Sequence, residues 1–67
     1  MDTRKLRALL TLNGDTLADL AEVIGCSYTA ISNKMAGRSD FTQPEMLKII
    51  RRYELSSDQV NDIFFDC

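Results

Sequence analysis

The stretch TLADLAEVIGCSYTAISNKMAG, residues 16–37, decides the fold. Thr16 with Asp19 three residues on is a capping box, in which a hydroxyl accepts from the third amide of a helix and a carboxylate answers the cap's own amide. The helix it opens is expected over residues 17–24, ending at Gly25, where a chain leaving a helix often needs a positive φ. Ser27 is the next cap, for a helix over 28–36 with Gly37 as terminator. Ala21 is small where the two helices must approach closely, and Ile24, Cys26 and Ile31 are apolar where the pair must seal against other elements.

The same reading extends outward in both directions. Upstream, residues 3–12 place Leu6, Leu9 and Leu10 on one face at a 3.6-residue period and Arg4, Arg7 and Thr11 on the other, and Asn13-Gly14 breaks the run. Downstream, Thr42 with Glu45 forms a second capping box, with Pro44 tolerable in a first turn. The helix that follows should reach Tyr53, with Met46, Ile50 and Tyr53 inward and Lys48, Arg51 and Arg52 outward. Ser56 with Gln59 repeats the cap for a last helix carrying Val60, Ile63 and Phe64. No stretch alternates as a strand does. The expected fold is all-α, a compact five-helix domain over residues 1–67 with short connections.

Composition narrows the function classes. The chain has 67 residues, 45% of them hydrophobic and 27% charged, a globular balance. A domain this short buries only about 60% of the surface of its unfolded chain and folds near the lower size limit. No apolar run approaches the ~18 residues that span a bilayer, and residues 1–5 do not lead into a signal-peptide core, so a soluble, cytoplasmic protein with no membrane partner is expected. Cys26 and Cys67 suggest no disulfide framework: Cys26 serves as a small hydrophobe and Cys67 is expected to be a loose end. With no histidine, the two thiols make no zinc site. The glycines are isolated at 14, 25 and 37, so no phosphate-cradling loop exists, and Asp15 and Asp19 are explained by capping. An enzyme is not expected, nor a cofactor, a metal or a small-molecule substrate.

The net charge of −2 argues against nucleic acid until its placement is considered. Residues 1–53 carry eight basic and six acidic side chains, whereas residues 54–67 carry four acidic and no basic ones. The tail sets the sign. Within it Asp58, Asp62 and Asp66 recur every four residues, a stripe best explained by solubility, although it also suits a surface that repels DNA and meets a basic partner.

Two short helices at a tight turn, the second standing proud, form a helix-turn-helix that can enter a major groove. Here TLADLAEVIGCSYTAIS resembles the Cro/phage-repressor-type (XRE-like) helix-turn-helix family in its cap, Leu-Ala, Gly, small polar pair and Ile-Ser. The FTQPEMLKI…LSSDQVNDIFF segment is similar to the ending of small prophage-type members, and the resemblance spans residues 3–65. It implies a phage-repressor-like DNA-binding fold and a sequence-specific transcriptional regulator, closer in size to Cro than to a full repressor and without a second domain. It implies a recognition helix over about 28–36 and double-stranded DNA with an operator-like site as partner.

Carried over by position, the resemblance makes Ser27, Tyr28, Thr29 and Asn33 base-contacting, and Thr16, Ser32, Lys34, Arg38 and Ser39 phosphate-contacting. The chemistry agrees: an Asn carboxamide can pair with adenine N6 and N7, and a Thr methyl can meet the thymine methyl. The amides at the start of the helix over 17–24 offer a further phosphate site. Arg4, Lys5 and Arg7 are as consistent with phosphate contact as with a solvated face, while Lys48, Arg51 and Arg52 read as a solvated face. Phe64 and Phe65 cannot both point inward, so one is expected in the core and the other exposed at a possible homodimer contact.

Two positions depart from the family. Leu17 stands where members often carry a phosphate-gripping glutamine, and Lys34 fills an apolar position, with Met35 following it. These departures and the acidic sum keep open a protein-interaction module on the same scaffold, an antitoxin-like or anti-repressor partner, and beyond it a bare structural bundle.

Overall fold

In a computed structural model, residues 2–65 are described. Asp66 of the acidic stripe and Cys67, expected to be a loose end, lie outside the described residues. Five helices follow one another: α1 (Thr3–Leu12), α2 (Leu17–Ile24), α3 (Tyr28–Met35), α4 (Gln43–Tyr53) and α5 (Ser57–Phe64). Each start has a local cause. Asp2, which the sequence reading passed over, accepts from the amides of Arg4 and Lys5 at the start of α1. Thr16–Asp19, Thr42–Glu45 and Ser56–Gln59 all form the reciprocal capping box, and Ser27 accepts from the Ala30 amide. Gly25 closes α2 at φ +87°, a left-handed conformation that side chains other than glycine adopt at a cost.

The core gathers Leu6 and Leu10 of α1, Leu20, Ala21 and Ile24 of α2, Ile31 and Met35 of α3, Phe41, Ile49 of α4, and Ile63 and Phe64 of α5. α2 packs on both α3 and α4, while α1 packs on α5. α4 turns Met46, Ile50 and Tyr53 inward as expected, half-buried against the core, and adds Ile49, which is fully buried and was left out of that face. Leu17 is half-buried against the core. No helix among the described residues is long and apolar enough to cross a membrane.

Polar ties between distant segments fix the relative placement of these helices. The Tyr53 hydroxyl donates to Asp15 Oδ2 at 2.5 Å, and Arg52 lies 3.5 Å from Asp15 Oδ1. The pair anchors the end of α4 to the loop that leads into α2. Lys48 Nζ donates to the carbonyl of Ile24, satisfying a C-terminal group of α2. The Asp2 amide donates to the Ile63 carbonyl, joining the start of α1 to α5.

Burial, reinforced by the hydrogen bond and negative charge of Asp15 and partly offset by Arg52, pushes the Tyr53 phenol up to about 12. A raised phenol pKa means that its stabilisation is fully present below the ordinary value of 10.0 and is lost as pH rises from there toward about 12. Tyr53→Phe, which removes a hydrogen bond to a charged acceptor, is expected to lower stability by about 1.5–3 kcal/mol at neutral pH in urea melts. The gap to the parent chain should close above pH 10, and a gap of constant size across that range would refute the assignment.

Candidate nucleic-acid interface

One face of α3 is held by the core and the other is open. Ile31 and Met35 are its buried residues. On the open side Tyr28 is 59% exposed, Ser27, Thr29 and Ser32 are exposed, and Asn33 is half-buried. The five residues expected at bases or at the nearest phosphate on α3 therefore share one surface, rich in hydroxyl and amide groups. Ser27 contributes to it while its Oγ accepts from the Ala30 amide at 3.1 Å.

The loop after α3 carries Arg38 and Ser39, both exposed. It is fastened to α3 by two backbone bonds, Gly37 N to Lys34 O at 3.2 Å and Arg38 N to Asn33 O at 2.9 Å. Arg38 also reaches back through its side chain, donating from Nη1 to Asn33 Oδ1 at 3.5 Å.

Lys34 differs from the expected phosphate contact. Its ammonium turns away from the α3 surface and donates to Glu45 Oε1 at 2.8 Å and to the Asp40 carbonyl at 3.2 Å. It also sits 5.6 Å from the Phe41 ring centroid, and the side chain is only 13% exposed. The physical reason is the position itself: a side chain between α3 and α4 has an acidic partner and an aromatic ring within reach, and both attract a cation in a partly dry setting. The same Glu45 Oε1 accepts from the Thr42 amide at 2.8 Å. Burial pushes the Glu45 carboxyl up, but the Lys34 ammonium and the Thr42 amide and hydroxyl together hold it below its ordinary value.

The start of α2 is also occupied from within. Thr16 N and Oγ1 both donate to Asp19 Oδ2, at 2.9 and 3.1 Å, and Asp19 N donates to Thr16 Oγ1 at 3.3 Å. The Thr16 backbone and side chain hold the Asp19 carboxyl below its ordinary value, so a negative charge stands where a phosphate was expected to dock. Elsewhere, Lys5 pairs with Asp62 of the acidic stripe, and Arg52 with Asp15. Arg4 and Arg7 are exposed on α1 and make no ion pair among the described residues.

Phe64 and Phe65 separate as expected, Phe64 into the core and Phe65 to 62% exposure. An apolar groove of about 430 Å³ runs between α4 and α5, lined by Gln43, Met46, Leu47, Ile50, Phe64 and Phe65. Leu47, 46% exposed, was missed in the sequence reading. Its one-turn spacing from Gln43 and Arg51 was the available signal.

The profile of a family described as helix-turn-helix matches residues 6–60, which takes in all of α1 to α4 except the first turn of α1. No curated protein and no solved structure matches the chain.

Proposed function

The chain belongs to the Cro/phage-repressor-type helix-turn-helix family, a family of DNA-binding regulators and not of enzymes, and from that premise we propose that it is a sequence-specific transcriptional regulator of Cro type. The observation that carries the proposal is the open face of α3, where Tyr28, Thr29, Ser32 and Asn33 stand away from buried Ile31 and Met35. In this reading Ser27, Tyr28, Thr29 and Asn33 contact base edges, and Ser32, Arg38 and Ser39 contact phosphates. Thr16 contributes through the ordered start of α2, and Lys34 acts as a strut that positions the Arg38 loop.

Two copies bind half-sites one helical turn apart, about 10–10.5 bp. They meet across the α4–α5 groove. One turn beyond Leu47 stands Arg51, which makes no ion pair among the described residues, and two turns before Phe65 stands Asp58. The two helices thus carry charges of opposite sign, which two copies can pair across a two-fold axis.

Selection of bound duplexes from a random pool tests this reading. A palindromic consensus is expected, with Asn33→Ala flattening the preference at one base pair of each half-site. Each phosphate contact adds roughly 0.9 to the slope of log K against log salt. With Lys34 and Lys5 held inside the chain, the slope should be shallow for a repressor of this kind. Enrichment of no sequence at low salt would overturn the proposal.

A protein-interaction module on the same scaffold is favoured by the Asp19 carboxylate at the start of α2 and by Leu17 beside it. Co-purification of a basic partner, with no mobility shift on any duplex, would select that reading.

A further inference from the structure

The geometry points to guanine, not adenine, as the base read by Asn33, because Arg38 occupies the acceptor end of its carboxamide. This inference rests on the reading of α3 as the recognition helix. An asparagine reads adenine by accepting from N6 and donating to N7, so it needs both ends of the amide. Here Oδ1 accepts from Arg38 Nη1 at 3.5 Å, while Nδ2 donates to no group among the described residues. The second lone pair of Oδ1 stays open, but a donor reaching it from N6 would lie beside the donors of the guanidinium, which disfavours adenine against a base that brings only acceptors.

The arrangement is held from several directions. Arg38 N donates to Asn33 O at 2.9 Å, Gly37 N donates to Lys34 O at 3.2 Å, and Lys34 Nζ fastens the far side of the loop through the Asp40 carbonyl at 3.2 Å. Arg38 is thus kept one helical turn from Asn33 by backbone as well as side chain. Together they offer mainly donors at this end of α3: the Asn33 amino group and the remaining guanidinium protons. Guanine is the base whose major-groove edge offers two adjacent acceptors, O6 and N7, and no donor. Arg38 is accordingly a specificity-determining residue and not simply a grip on the backbone.

The test uses the full chain and two sets of duplexes. Selection from a random pool with the parent chain and with Asn33→Ala identifies the base pair whose preference depends on Asn33. Duplexes differing only by G·C or A·T at that pair are then titrated with the parent chain and with Arg38→Ala. The parent is expected to favour guanine about tenfold, and Arg38→Ala, with its carboxamide released, to lose that preference or reverse it toward adenine. Arg38 is exposed, and an unchanged circular dichroism melt confirms that the variant is folded. Adenine preferred by the parent, or an equal loss of affinity for both duplexes in Arg38→Ala, overturns the guanine assignment while leaving the DNA-binding reading intact. A parent chain that enriches no sequence overturns both.

Discussion

Ile31→Ala is expected to bring the chain to the edge of unfolding. The isoleucine is 0% exposed, and with Met35 it is one of only two buried residues on α3. Truncating a fully buried isoleucine to alanine costs roughly 2–5 kcal/mol through lost transfer energy and the cavity left behind. A domain of this size has about 3–10 kcal/mol of stability in total. The substitution therefore removes from about a fifth to all of that stability, and the urea midpoint should fall steeply with little change in slope. Ile31→Val, which deletes one methylene group, should lose only about 0.5–1.5 kcal/mol. A loss below 1 kcal/mol for the alanine variant would mean that α3 is not anchored through this residue.

Leu47→Asp is expected to separate two kinds of DNA binding. If the α4–α5 groove joins two copies, a charge at Leu47 should lower affinity for a duplex with two half-sites by about 10²–10⁴, the typical gain from linked binding. Affinity for a single half-site should stay the same, because α3 is untouched. Leu47 is already half in solvent, so the melting curve should move by about 0.5 kcal/mol or less. Equal affinities for both duplexes in the parent chain, or an equal loss on both in the variant, would place the contact elsewhere.

The local parts of this fold were legible because their causes lie within three or four residues. Thr16–Asp19, Thr42–Glu45 and Ser56–Gln59 announce their helices by spacing alone, and Gly25 announces a stop. The end of α4 was harder to justify, since Glu54 adopts φ +50° there without being a glycine. What was not legible connects distant positions. Tyr53 finds Asp15 across 38 residues and Lys48 finds Ile24 across 24. Lys34 finds Glu45 across 11, and no helical period could reveal that its charge would turn inward. For the candidate interface, the exposed hydroxyl and amide groups of α3 were readable from their phase against Ile31. The link between Arg38 and Asn33 was not, because it depends on how the loop folds back.

Glu45 has a consequence for how such a chain can diverge. One oxygen serves both the first turn of α4 and the ammonium from α3, so position 45 answers to two neighbours at once. A lineage that exchanges Lys34 for an apolar residue leaves the carboxylate with its cap alone, and one that loses Glu45 leaves the ammonium with only the Asp40 carbonyl and the Phe41 ring. The two sites are therefore expected to drift as a pair, while the exposed hydroxyl-bearing positions of α3, tied to no such partner on α4, remain free to change.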